Sequence, residues 1–110
     1  MKKKTKWIER LVDKITDGSK TTNNENFYFY GKDVTLQSGT EDYVSVFVNE
    51  KHNTILDFSL DFWTYECVID YVEYPEYLDA IKSALCKIYY RNWTFINNME
   101  EEDEYYDEED

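Results

Sequence analysis

Chain breakers and reactive side chains are scarce here. The 110 residues include one Pro, three Gly, one His and two Cys. So little Gly and Pro excludes collagen-like, linker-like and loop-dominated proteins. Cys67 and Cys86 form no CxxC pair, and small secreted scaffolds carry many more cysteines, so a reducing cytosol is expected. No apolar run approaches the roughly 18 residues that a membrane span needs. Lys2, Lys3 and Lys4 look like the start of a signal peptide, but Glu9, Arg10, Asp13 and Lys14 interrupt any apolar region behind them. The expectation is a soluble, cytoplasmic protein with no membrane partner.

Catalytic signatures are missing too. The chain holds no dinucleotide-binding glycine motif, phosphate loop, nucleophile elbow or HExxH zinc motif. Asp57, Ser59 and Asp61 mimic the start of a calcium loop. The glycine that such a loop needs at its sixth position is Phe62, and the acid at its twelfth is Val68. His52 stands alone in a predicted turn, and Cys86 falls near a predicted helix seam, where cysteines are usually inert. No enzyme activity, cofactor or metal is expected.

What is abundant is acid and aromatic character. Acidic side chains number 24 against 12 basic ones, a net charge of −12, and 18 % of residues are aromatic, among them 11 Tyr. Such a charge argues against direct nucleic-acid binding, because phosphates repel it. The charge is also polarised. Residues 1–20 carry seven bases and three acids, net +4; residues 21–97 carry five and 12, net −7; residues 98–110 carry nine acids and no base.

Trp7, Ile8, Leu11, Val12 and Ile15 recur as one stripe of a helix, with Thr5 as cap and Gly18 as stop. The period then changes to two. Strands are predicted at 27–30, 34–37, 43–48 and 54–62, with turns at Gly31-Lys32, Ser38-Gly39 and Lys51-His52-Asn53. Residues 64–74 fit both a short helix, through Val68, Ile69 and Val72, and a fifth strand; the helix is the expectation. Pro75 opens a second long helix with Leu78, Ile81, Leu85 and Ile88 as its seam, ending near Trp93. The expected fold class is α+β: an N-terminal helix, a four-stranded antiparallel meander and a C-terminal helix packed on one sheet face. Residues 1–97 form the single domain, and 98–110 a disordered acidic tail.

Alternation directs Leu56, Phe58, Leu60 and Phe62 to one face with Val44, Val46 and Val48. The opposite face gathers Tyr28, Tyr30, Thr35, Tyr43, Phe47, Ile55, Asp57 and Asp61. A second mixture of rings and acids follows in Asp70, Glu73, Tyr74, Glu76 and Tyr77, with Tyr74 and Tyr77 pointing outward because Leu78 takes the core. These residues read either as a solvated sheet face with cross-strand pairs, or as a partner-binding surface, since exposed Tyr suits interfaces. Glu76 and Asp79 also complement a helix dipole.

A tiny, very acidic, Tyr-rich chain with an acidic end resembles the small phage-encoded anti-defence inhibitors. It resembles in particular the anti-CRISPR proteins that block effector nucleases, and more loosely the DNA-mimicking anti-restriction proteins. The resemblance is of size, charge and style over the whole chain, with no shared motif, and the basic start departs from it. It implies a bacterial host cytoplasm and a basic partner, a nucleic-acid-processing enzyme such as a CRISPR effector nuclease, whose groove the carboxylates occupy. The same physics suits an immunity protein or antitoxin against a basic toxin, or an accessory subunit of a larger assembly. The oligomeric state is not legible in the sequence.

Overall fold

The computed structural model describes residues 5–16, 24–40, 42–89 and 92–99. The first helix, α1 (Lys6–Ile15), buries the predicted stripe Trp7, Ile8, Leu11, Val12 and Ile15. Thr5 stands at its N-cap without a side-chain capping bond, and at its other end the Thr16 hydroxyl donates to the Val12 carbonyl at 2.7 Å. The predicted stop at Gly18 lies outside the described residues, as do Lys2, Lys3, Lys4 and residues 100–110 of the expected tail.

The remaining elements are β1 (Glu25–Phe29), β2 (Lys32–Thr40), β3 (Tyr43–Glu50), β4 (Asn53–Asp61), β5 (Glu66–Val72), α2 (Glu76–Tyr89) and β6 (Thr94–Asn97). The fold is α+β, and the described residues form six strands in sequence order rather than four. All pairs are antiparallel except β5–β6, which α2 makes parallel by crossing between them. Among the described residues no helix is long and apolar enough to cross a membrane.

Three corrections to the predicted elements have local causes. Residues 64–74 hold β5, not a helix. Asp70 is an extra residue between Ile69, opposite Phe58, and Tyr71, opposite Asp57. That bulge returns Val72 to the inside three residues after Ile69, a spacing that imitates a helix. Ser38-Gly39 is not a turn either: β2 continues to Thr40 and absorbs Gly39 as an irregularity between Ser38 and Thr40. The third correction is Ile55, predicted to lie beside Asp57. A register shift there leaves both Ile55 and Leu56 buried.

Two hairpins turn on adjacent residues with positive φ, Tyr30 (54°) with Gly31 (75°), and Lys51 (52°) with His52 (70°). Two-residue hairpins favour such pairs because they match the strand twist, yet only Gly and Asn adopt them readily. Lys51→Asn combined with His52→Gly is therefore expected to stabilise the protein by about 1 kcal/mol. A higher urea midpoint at unchanged slope is the check.

Both helices cover one sheet face. Their buried residues form one core with Val34, Leu36, Val44, Val46, Val48, Leu56, Phe58, Leu60, Cys67, Ile69 and Val72. On α2 the buried side chains are Tyr77, Ala80, Ile81, Ala84 and Leu85, while Leu78 is only partly buried. Ile81 and Leu85 of the predicted seam are thus in place, while Tyr77 takes the buried position expected of Leu78. Its last member, Ile88, lies in α2, but its side chain is outside the described set. After α2, buried Trp93 leads into β6, and the Asn98 amide donates to the Ile69 carbonyl at 2.8 Å.

Candidate functional site

The uncovered face of the sheet is built by register. One row across the strands reads Asn26, Thr35, Phe47, Asp57 and Tyr71, and the next Gln37, Ser45, Ser59, Val68 and Ile96. Flanking rows add Tyr28 opposite Asp33, and Tyr43 beside Asp61, Glu66 and Thr94. Asp33, Asp57, Asp61 and Glu66, joined by Asp70 of the bulge beside Asp57, share this face with the rings of Tyr28, Tyr43, Phe47 and Tyr71. Cross-strand neighbours stand about 5 Å apart. The described Lys and Arg residues lie elsewhere: Lys6, Arg10, Lys14, Lys82 and Lys87 on the helices, Lys32 over the Trp7 ring at 4.8 Å, and Lys51 in a turn. The helix side mixes these bases with Glu9, Asp13, Glu76 and Asp79, whereas the charged side chains of the open face are all acidic.

Several of these carboxylates are held in place. Asn26 donates to Asp33 at 2.8 Å and to the Thr35 hydroxyl at 2.9 Å, and Asn98 donates to Asp70 at 3.1 Å. Asp61 accepts the amides of Trp63 and Thr64 at 2.9 and 3.1 Å. Asp57 is half-buried between Phe47 and Tyr71. Burial first, and the charge of Asp70 second, hold its carboxyl above the ordinary 3.8.

The sequence-predicted residues divide between two places. Tyr28, Tyr43, Phe47, Asp57, Asp61 and Asp70 come together on the open face. Tyr30, Tyr74, Glu76 and Tyr77 line a separate cleft of about 480 Å³, with Lys6, Trp7, Lys32 and Glu50. Tyr30 departs from the predicted face because its strand ends at Phe29 and its left-handed backbone belongs to the turn. Tyr77 is buried instead of outward, edge-on to Trp7 at 5.6 Å and to Tyr74 at 5.5 Å. Its hydroxyl is pushed up to about 12 by burial, then by Glu73, Tyr74, Glu50 and Glu76. Glu73 acts on Tyr77 through its charge but does not line the cleft.

Asp33, Glu66, Tyr71 and Trp63 were missed. The bulge hid Tyr71 and Glu66 inside an apparent helix, and Asp33 stands between the predicted turn at Gly31-Lys32 and the strand predicted from Val34. Trp63 had one usable signal: Asp61 two residues before it, the spacing of an Asx turn.

The two thiols are unlike each other. Cys67 is buried in β5, and burial raises it to about 12, against a smaller lowering by Lys82. Cys86 is exposed, contrary to its predicted place near the seam. A thiol reagent at pH 8 should modify Cys86 alone in the native protein, and both cysteines in urea. Mass spectrometry of the products is the check.

No protein-family model matches the chain, and no curated protein or solved structure matches it either.

Proposed function

We propose that this chain is a protein inhibitor of a nucleic-acid-processing enzyme in the bacterial cytoplasm, in the manner of the acidic anti-CRISPR proteins. Its open sheet face would occupy the basic groove that normally holds the enzyme's nucleic acid. The supporting observation is the open face itself: five carboxylates and four rings on one side of a sheet, apart from the described lysines and arginine. Nucleic-acid grooves present Lys and Arg to phosphates and flat surfaces to bases, and this face offers the complement of both. The net charge of −12 also accelerates encounter with a basic target.

Competition for a groove has two signatures that adhesion elsewhere lacks. Affinity for a target recovered from host lysate should fall as salt rises, and saturating substrate nucleic acid should block binding. Calorimetric titration with and without substrate, at two salt concentrations, measures both. Unchanged affinity on substrate-loaded enzyme refutes groove competition and fits an immunity protein or accessory subunit instead. The chain alone should not bind DNA or RNA at physiological salt.

A further inference from the structure

We infer that Trp63 is an anchor residue, presented by a braced turn to an apolar pocket of a protein partner whose rim carries Lys or Arg. Tryptophan is highly buried on average, yet this one is 78 % exposed. Its turn is nevertheless fixed on every side. The flanking rings of Phe62 and Tyr65 both meet buried Trp93 edge-on, at 6.0 and 5.3 Å. Asp61 accepts the amides of Trp63 and Thr64. The Phe62 amide donates to the Asp42 carbonyl at 2.7 Å, and the Thr94 amide to the Tyr65 carbonyl at 3.0 Å. Tyr65 itself holds a left-handed backbone, φ 60°.

Neighbours on both sides therefore point inward and are pinned, while the largest ring points out. A large rigid ring on an ordered backbone is what a hot spot requires, because little freedom remains to be lost on binding. This gives Asp61 a different part from the one its position on the acidic face suggests: it is a positioning residue for Trp63. The chemistry of the partner follows from charge. The hairpin of β4 and β5, residues 53–72, contains four acids and no Lys or Arg. Such surroundings repel phosphate-rich surfaces and favour a protein pocket with a basic rim.

The test uses the full chain and a naive phage-displayed peptide library as probe. Enriched peptides should carry an apolar residue beside Lys or Arg. They should lose at least tenfold in affinity on Trp63→Ala and less on Trp63→Phe, and should shift tryptophan emission to the blue. Asp61→Ala should also weaken them severalfold, although the ring is intact. Thermal transitions of Trp63→Ala and wild type should coincide, since the ring packs on nothing in the core. Four results overturn the inference: no peptide enriched, equal binding to Trp63→Ala, Trp63-dependent binding to phosphatidylcholine vesicles, or a Trp63-dependent dimer in sedimentation. Peptides that fail on Asp57→Lys/Asp70→Lys but not on Trp63→Ala overturn it too, and leave the inhibitory face standing.

Discussion

Replacing Phe58 by alanine is expected to lower stability by about 3–5 kcal/mol, most of the margin of a small domain. Phe58 is fully buried at the middle of β4, between Val46 and Ile69, beneath both helices. Truncation removes the ring's transfer free energy and leaves a cavity that strands fixed on both sides cannot close. Phe58→Leu keeps most of the volume and should cost less than about 1.5 kcal/mol. Urea unfolding of the three proteins measures the difference. A loss below about 1 kcal/mol for the alanine variant contradicts the central place assigned to this ring.

Asp57→Lys combined with Asp70→Lys should reduce affinity for the captured enzyme by about 100-fold or more, some 2.7 kcal/mol, because two attractive contacts become repulsive. The fold should survive. Both carboxylates lie on the uncovered face, and a lysine at position 57 can extend its ammonium to water. Asp57 is itself no support at neutral pH. Its folded value lies above 3.8, so the native state keeps the proton to higher pH than the unfolded chain does. Its contribution to stability therefore declines as pH rises from about 3.8, and Asp57→Asn should remove that decline. Titration calorimetry reads the affinity, and urea midpoints between pH 3.5 and 7 read the stability. A folded double variant that binds as wild type would show that another surface makes the contact.

Much of the architecture was legible because periodicity survives in single elements. The stripe of Trp7, Ile8, Leu11, Val12 and Ile15 admits one amphipathic helix, and Pro75 marks where the next begins. The alternation from Tyr43 to Val48, and from Leu56 to Leu60, selected the inner face correctly. Five of the eleven candidate binding residues, Tyr28, Tyr43, Phe47, Asp57 and Asp61, fell on the uncovered face for the same reason, whereas Asp70 reaches it through the bulge. The short β6 carries no such signal: its four residues come soon after a helix and pair with β5, far back in the chain.

Composition, charge balance and the inward faces of α1, β3 and β4 are thus properties of the sequence itself, because each depends on residues a few positions apart. Tertiary structure alone decided the phase of what lies between them. An extra residue at Asp70 restores Val72 to the core, a register shift buries Ile55, and a left-handed turn swings Tyr30 from the sheet to the cleft. The first two are shifts of one residue, and one residue in a strand reverses the face. Neighbouring strands choose where that shift falls, since they bring the hydrogen bonds and the packing that accept it. Trp63 has the same origin: Trp93, 30 positions away in sequence, pins the rings on either side of it and leaves it facing out.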